Sequence, residues 1–385
     1  MERVGFVSTY PPVHCGVGEY TRMLISGLKR VSPGIDVVVF QVRESKGFID
    51  RELGVRVIPS FDRGSSDYSS LLEALEEVGG VDVIHVQHEY GIFGRTTAIL
   101  DSLEEAKRRG LASLAIVTMH TTDRIGPRQS LEFQSQLNRV DAVVVHSVLQ
   151  EFELQAQGIE PYKVWRIPHG TLINPYLDNP RHLLLDRLGL EDDVIDGFLL
   201  VTPGFIRRDK GLDILMNAVK HLKRRVRVLV AGEKSDAGLT LYETGELVVL
   251  EKYLSSEEIL MLAALADAIV LPYKDRPGKY SVSGILHLSM GSLKPIIGTR
   301  VPRLIELYQY APRLTVPPRA PILLAERINW LMENYDLAVA YSSNLLAYAA
   351  RTQWPRIARR HIDLYKMLLA GEKPVWEPLV DARVE

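Results

Sequence analysis

In the stretch GFIRRDKGLD, Gly204 to Asp213, three cations crowd into one turn: Arg207, Arg208 and Lys210. An apolar run, Phe198–Thr202, precedes it, and a helical pattern opens near Gly211. A helix start presents free N–H groups and a positive dipole potential, both of which favour phosphate. Arginine grips phosphate oxygens in a bidentate manner, whereas lysine adds a mobile point charge. Cations at such a turn reinforce the preference for an anion. The alternative is a solvated basic turn with no ligand.

Two further loops have the composition of ligand-approach turns. STYPPVHCGVGEYTRML puts Gly16, Val17 and Gly18 between a first strand and a first helix, expected from about Glu19 to Arg30. Glycines there let backbone pass close to a ligand. The string is neither G-x-G-x-x-G nor a Walker loop, so a dinucleotide or P-loop site does not follow. In DRPGKYSVSGILHLSMGSLKPIIGT, the turn Ser281 to Gly284 precedes an apolar helix ending near Gly291. Ser281 and Ser283 also fit plain helix N-caps.

His85, His88, His120, His146 and His169 fall at or near the ends of apolar runs. No HExxH or comparable spacing occurs, and strand residues three apart point to opposite faces, so no metal site is expected. His88 and Glu89 are read as acceptor contacts or loop-positioning residues, and His146 and His169 as structural. No Ser-His-Asp triad or hydrolytic carboxylate pair is evident.

Elements that could hold these loops are visible along the whole chain. Val4–Ser8, Val37–Gln41, Val55–Ile58, Val83–Gln87, Leu114–Thr118 and Ala142–His146 are nearly continuous apolar runs. A second series contains Phe198–Thr202, Val226–Ala231, Val248–Leu250, Ala268–Pro272 and Pro295–Gly298. Such runs, alternating with amphipathic helical patterns, predict parallel strands covered by helices on both faces. With 385 residues and a Pro/Asn-rich segment near 172–180, the chain reads as two doubly wound α/β domains facing across a cleft. A formal net charge of -2 gives no global field for nucleic acid or an acidic membrane. A single cysteine, Cys15, excludes an internal disulfide and fits a reducing compartment. No signal-peptide pattern and no apolar stretch of about 18 residues is found, which points to the cytoplasm.

These motifs, taken in order, resemble those of the retaining glycosyltransferases of family four, which have the GT-B architecture of two Rossmann-like domains. YPPVHCGVGEYTRMLISGL is similar to their amino-terminal glycine loop and first helix. VHSVLQEFEL, VWRIPHG, PGFIRRDKGLDILMNAV, YLSSEEILMLAALADAIVLPY and GSLKPIIGT continue the series over nearly the whole chain. The resemblance implies an acceptor-side domain over 1–176, a donor-side domain over 177–352 and a C-terminal helix, 353–385, returning to the first domain. It implies a hexosyltransferase that uses a nucleotide-diphosphate sugar as donor substrate, without metal or other cofactor, and retains anomeric configuration. Lys210 matches the family's diphosphate-binding lysine. Phe205 stands where its arginine usually follows the glycine, and Arg207 is chosen as the substitute, with Arg208 second. Gly16, Val17 and Gly18 match the loop near the donor, His120 a histidine near the transferred sugar, and Tyr253 and Leu254 the backbone that meets the nucleobase. The two usual glutamates become Tyr280 and Leu288, so Ser281, Ser283 and Gly284 are expected to take over donor contacts, and Glu306 is not assumed to replace them.

The expected acceptor is a carbohydrate or lipid-linked hydroxyl, and the basic stretch LKRRVRV leaves room for peripheral membrane association. In WPRIARRHIDLYKMLL, Trp354, Ile357, Ala358, Ile362, Tyr365 and Leu368 form the apolar face, with Arg359, Arg360 and His361 on the solvated one. The alternatives are a nucleotide-sugar-binding scaffold that has lost catalysis, or another GT-B enzyme such as a phosphorylase or epimerase.

Overall fold

The computed structural model describes residues 1–236 and 246–372. They form two compact units. One comprises Met1–Pro168, Lys279–Ser281 and the chain from Pro355 onward, the other His169–Gly278 and Val282–Trp354. The last part of the expected C-terminal segment, 373–385, lies outside the described residues.

The first unit runs β1 (Arg3–Val7), α1 (Gly16–Val31), β2 (Asp36–Val42), β3 (Phe48–Asp50), β4 (Val55–Phe61), α2 (Ser69–Glu77) and β5 (Val81–His88). It continues with α3 (Tyr90–Phe93), α4 (Ala98–Arg108), β6 (Ala112–Met119), β7 (Thr121–Asp123), α5 (Arg128–Ser135), β8 (Ala142–Val145), α6 (Val148–Ala156) and β9 (Val164–Arg166). Eight strands make one sheet in the order β3-β4-β2-β1-β5-β6-β8-β9. Only β3 is antiparallel to its neighbour. In β2 every residue after Asp36 is buried, as a strand covered on both faces requires. Helix α1 buries Tyr20, Leu24, Ile25 and Leu28, the spacing of a single helical face. Strand order reverses between β1 and β5, and in open α/β sheets ligands bind beyond the strand ends at such a point.

The second unit runs α7 (Arg181–Leu188), β10 (Phe198–Pro203), α8 (Leu212–Val219), β11 (Val226–Ala231), β12 (Leu247–Leu250), α9 (Ser256–Leu265) and β13 (Ala268–Leu271). After β14 (Lys279–Ser281), which belongs to the first unit, come α10 (Gly284–Ser289), β15 (Ile296–Thr299), α11 (Ile305–Tyr310), β16 (Thr315–Val316), α12 (Pro321–Glu333), α13 (Tyr335–Tyr341) and α14 (Ser343–Arg351). Its six-stranded sheet is parallel throughout, in the order β12-β11-β10-β13-β15-β16. Here the order reverses between β10 and β13. Helix α9 starts at a capping box, in which Ser255 and Glu258 satisfy each other's backbone N–H.

Helix α15 (Trp354–Leu369) closes the described chain. Ile357, Ala358, Ile362 and Tyr365 are buried as the pattern predicts, and Arg359 and Arg360 are exposed. His361 departs from the expected solvated face. It is fully buried, with Nδ1 donating to the Ile357 carbonyl at 2.9 Å, and its ring lies 5.8 Å from that of His85. The basic stretch LKRRVRV also turns partly inward. Its Arg227 lies on β11, is 8% exposed and pairs with Asp193 at 2.8 Å.

Candidate functional site

Beyond β10 the chain crosses Gly204, and Ile206 N–H then donates to the Glu233 carbonyl at 2.9 Å. A single 3-10 turn, Arg208–Lys210, ends at Gly211, whose φ of 69° is left-handed. A side chain at Gly211 would strike the carbonyl oxygen of Pro272, so this close passage of two loops needs glycine. The turn directs Lys210 inward. It is 7% exposed, its Nζ donates to Tyr273 Oη at 2.7 Å, and it lies 3.9 Å from the centre of that ring. Tyr273 follows β13, so the pair sits where strand order reverses. Burial, then repulsion from Arg303 and Arg207, pushes the Lys210 ammonium well below the usual lysine range, against the pull of Asp209.

Asp209 is the hub of the remaining cations. Arg207 Nη2 donates to its Oδ2 at 3.2 Å and Nε lies 3.1 Å from Oδ1. Arg303 Nη1 donates to the same Oδ2 at 2.8 Å, and Arg276 approaches to 3.6 Å. Burial would raise the Asp209 carboxyl, but Arg207, Arg303 and Lys210 hold it below its ordinary value. Arg208, by contrast, is 67% exposed and pairs with Asp236 at 3.2 Å. Of the three cations crowded into the turn, Arg207 and Lys210 converge and Arg208 turns away.

The serine-glycine loop joins the same network. Ser283 Oγ is 3.2 Å from Tyr273 Oη and accepts from Leu286 N–H at 3.3 Å, which makes Ser283 the N-cap of α10, followed by Gly284. Ser281 is not in that turn. It lies on β14, which pairs antiparallel with β7, opposite Thr121. Tyr280 is on the same strand and hydrogen-bonds Arg124. Leu288 is buried in α10. Glu306 is buried too, its carboxyl pushed up to about 7 by that burial, 3.7 Å from His287 Nε2. Phe205, at the position of the resembled arginine, sets its ring 6.1 Å from Tyr253, and Leu254 beside it is buried.

In the first unit, Gly16, Val17 and Gly18 are not a loop before the helix. They are its first turn, so the helix starts three residues earlier than expected. Their N–H groups have no acceptor within the helix, and the preceding residue, Cys15, makes no side-chain cap. A Cβ on Gly18 would come within 3.3 Å of the Thr9 and Tyr10 backbone, so glycine lets the helix start seat against the loop that follows β1. His120 Nε2 is 3.0 Å from Gln87 Oε1, and its ring packs edge-on against Tyr20. Burial, then His146, His88 and His85, hold it well below the usual histidine range. Glu89 caps α3 and accepts from Thr121 Oγ1 at 2.7 Å.

His88 corrects the expectation of an acceptor contact. It is fully buried, stacked 4.2 Å from Phe133 and 5.5 Å from Phe93, with Tyr90 edge-on. Neither ring nitrogen has a hydrogen-bond partner, and burial lowers its pKa to about 3. It is part of an aromatic core. His146 and His169 are buried as well, His146 Nδ1 donating to the Ile167 carbonyl at 2.9 Å.

Two site residues escaped the sequence reading. Tyr273 ends the motif run at LPY, a polar ring at the carboxyl end of a strand, which is the available signal. Arg303 is 94 positions from the carboxylate it shares, and no spacing rule reaches that far. Among the described residues no group of three or more His, Cys, Asp or Glu could hold a metal ion, and no helix is long and apolar enough to cross a membrane.

A family model described as "Glycosyltransferase Family 4" matches residues 15–171, and one described as "Glycosyl transferases group 1" matches residues 197–334. No curated protein matches the chain by sequence. Among solved structures, a glycosyltransferase from Rickettsia africae ESF-5 is similar at 15% identity and a TM-score of 0.72, covering 97% of this chain and 100% of that one. HepE from Anabaena in complex with UDP is similar at 17% identity and a TM-score of 0.72, covering 95% and 100%. Trehalose-6-phosphate synthase OtsA is similar at 10% identity and a TM-score of 0.67, covering 95% and 99%. Those likenesses carry the fold, two Rossmann-like domains of GT-B type, and the two family matches carry the rest: the chain has a glycosyltransferase family 4 domain followed by a glycosyl transferases group 1 domain, and is a GT-B glycosyltransferase.

Proposed function

We propose that the enzyme transfers a hexose from a nucleotide-diphosphate sugar to a carbohydrate or lipid-linked hydroxyl, with retention and without a metal. The observation that carries this reading is the convergence of Arg207 and the buried Lys210 beside Tyr273 and Ser283, at the strand-order reversal of the second unit. HepE has been solved with UDP-glucose, which makes UDP-sugars the first donors to test.

In the proposed reaction the bond from the anomeric carbon to the diphosphate oxygen breaks, and negative charge grows on the leaving group. Arg207 and Lys210 oppose that charge more strongly in the transition state than in the bound donor, so they lower the barrier. The acceptor oxygen bonds to the anomeric carbon on the face the diphosphate leaves, and its proton passes to a phosphate oxygen. Fixed cations do the work of a divalent ion, and no protein base is required. Tyr253 and Leu254 are assigned to the base and Ser283 and Gly284 to the donor. In the first unit, the open amides of Gly16, Val17 and Gly18 and the ring of His120 are assigned to sugar or phosphate oxygens, and Glu89 to the acceptor.

The test is release of nucleoside diphosphate from a panel of nucleotide sugars with and without mono- and oligosaccharide or polyprenyl-linked acceptors. Acceptor-dependent release, unaffected by EDTA and giving a product of unchanged anomeric configuration by NMR, is expected. An inverted product, or a requirement for a divalent cation, contradicts the proposal.

A further inference from the structure

Arg303 follows β15, in a 3-10 turn formed by Pro302–Leu304, and β15 is the strand next to β13. Its guanidinium meets the Arg207–Lys210 turn at one point and the tyrosine beside it at another. It donates to Asp209 Oδ2 at 2.8 Å, and its Cζ lies 5.9 Å from the centre of the Tyr273 ring that Lys210 also faces. One carboxylate therefore faces two guanidinium groups directly, a third at 3.6 Å from Arg276, and a buried ammonium. An ion pair that only stabilised the loop would need one cation, and Arg207 already supplies it through two contacts. Each additional like charge costs free energy unless an anion compensates. The remaining positive charge is that of a pyrophosphate's counterpart. Neither Tyr273 nor Ser283 can neutralise it, since both are neutral hydroxyls.

We infer that Arg303 is a third phosphate-binding cation for a nucleoside diphosphate, and that Asp209 is a positioning residue that aims Arg303 and Arg207 at one anion. The inference rests on the donor-site reading of the preceding subsection. Two segments far apart in sequence thus share one carboxylate, which fixes the forks before the ligand arrives and lowers the entropy lost on binding. Guanidinium forks suit bidentate contact with phosphate oxygens, so arginine should outperform lysine at this position.

Calorimetric titration of UDP, ADP and GDP into the full-length wild-type protein, Arg303→Gln, Arg303→Lys and the control Lys220→Gln tests this. Lys220 is exposed and lies outside the cluster. For whichever diphosphate binds, Arg303→Gln should weaken affinity by about tenfold or more, the scale of one lost charge-assisted hydrogen bond. Arg303→Lys should recover part of the loss, and Lys220→Gln should bind as wild type. Repeating Arg303→Gln in an Asp209→Asn background separates contact from scaffolding. A further loss there, smaller than in the wild-type background, means that Arg303 touches the phosphate and that Asp209 aims it. No further loss, or wild-type affinity in Arg303→Gln itself, overturns the inference while leaving the donor-site reading standing. If the wild-type protein binds none of the three diphosphates, the donor-site reading falls and the inference falls with it.

Discussion

Lys210 shows how a basic side chain can be buried and still have polar partners. Its ammonium donates to one phenol, faces the ring of the same phenol and has Asp209 as the nearby opposite charge. An ammonium so desolvated gains more from an incoming anion than an exposed one would, because the surroundings screen the attraction less. His88 is the opposite case. Its ring is useful for stacking and its nitrogens satisfy nothing. His88→Phe should therefore keep the aromatic cluster and raise stability by about 1 kcal/mol, the usual scale for relieving a buried unsatisfied polar group. The sign with pH follows from protonation: the unfolded histidine titrates near 6.5 and the folded one near 3, so below 6.5 the unfolded state binds the extra proton. Wild type loses stability through this group as pH falls, and the gain from phenylalanine should be larger at pH 5 than at pH 8 in denaturant unfolding. A variant that folds but no longer transfers sugar would restore His88 to the acceptor site.

At the scale of elements, the loops that matter are held by passages too close for a side chain. Gly211 combines a left-handed φ of 69° with contact to the Pro272 carbonyl, one residue before Tyr273. Gly211→Ala should cost about 2 kcal/mol or more, from the left-handed conformation and from displacement of the Pro272 loop. A lowered unfolding midpoint and weaker nucleotide binding are the expected readouts, and an unchanged midpoint contradicts this account of the turn. The long strands were legible because burial on both faces leaves nearly continuous apolar runs, as in VVVF of β2 and FLLV of β10. The short strands β3, β7, β9, β14 and β16 were not. Each has two or three residues, and pairing with a neighbour rather than any local pattern makes it a strand. Ser281 was read as part of a turn for that reason.

For the molecule as a whole, the sequence separates two mainly parallel α/β sheets, and the structure assigns most of each half to its own unit. Motifs within a dozen residues, such as Arg207 with Lys210 or Ser283 with Gly284, could be read directly. Arg303 could not, and Tyr273 only as the polar end of the LPY run, because the fold brings them to Asp209 and Lys210 from 94 and 63 residues away. His361 was misread because a helix face that is polar by composition can still be buried when a histidine bonds its own backbone. The central claim is that fixed positive charge beside Lys210 captures the donor's pyrophosphoryl group. Its most direct test is titration of the nucleoside diphosphate into wild type and Lys210→Met. Loss of affinity by about tenfold or more, with an unfolding midpoint no lower than that of wild type, is the predicted result. Equal affinity in the two proteins would contradict it.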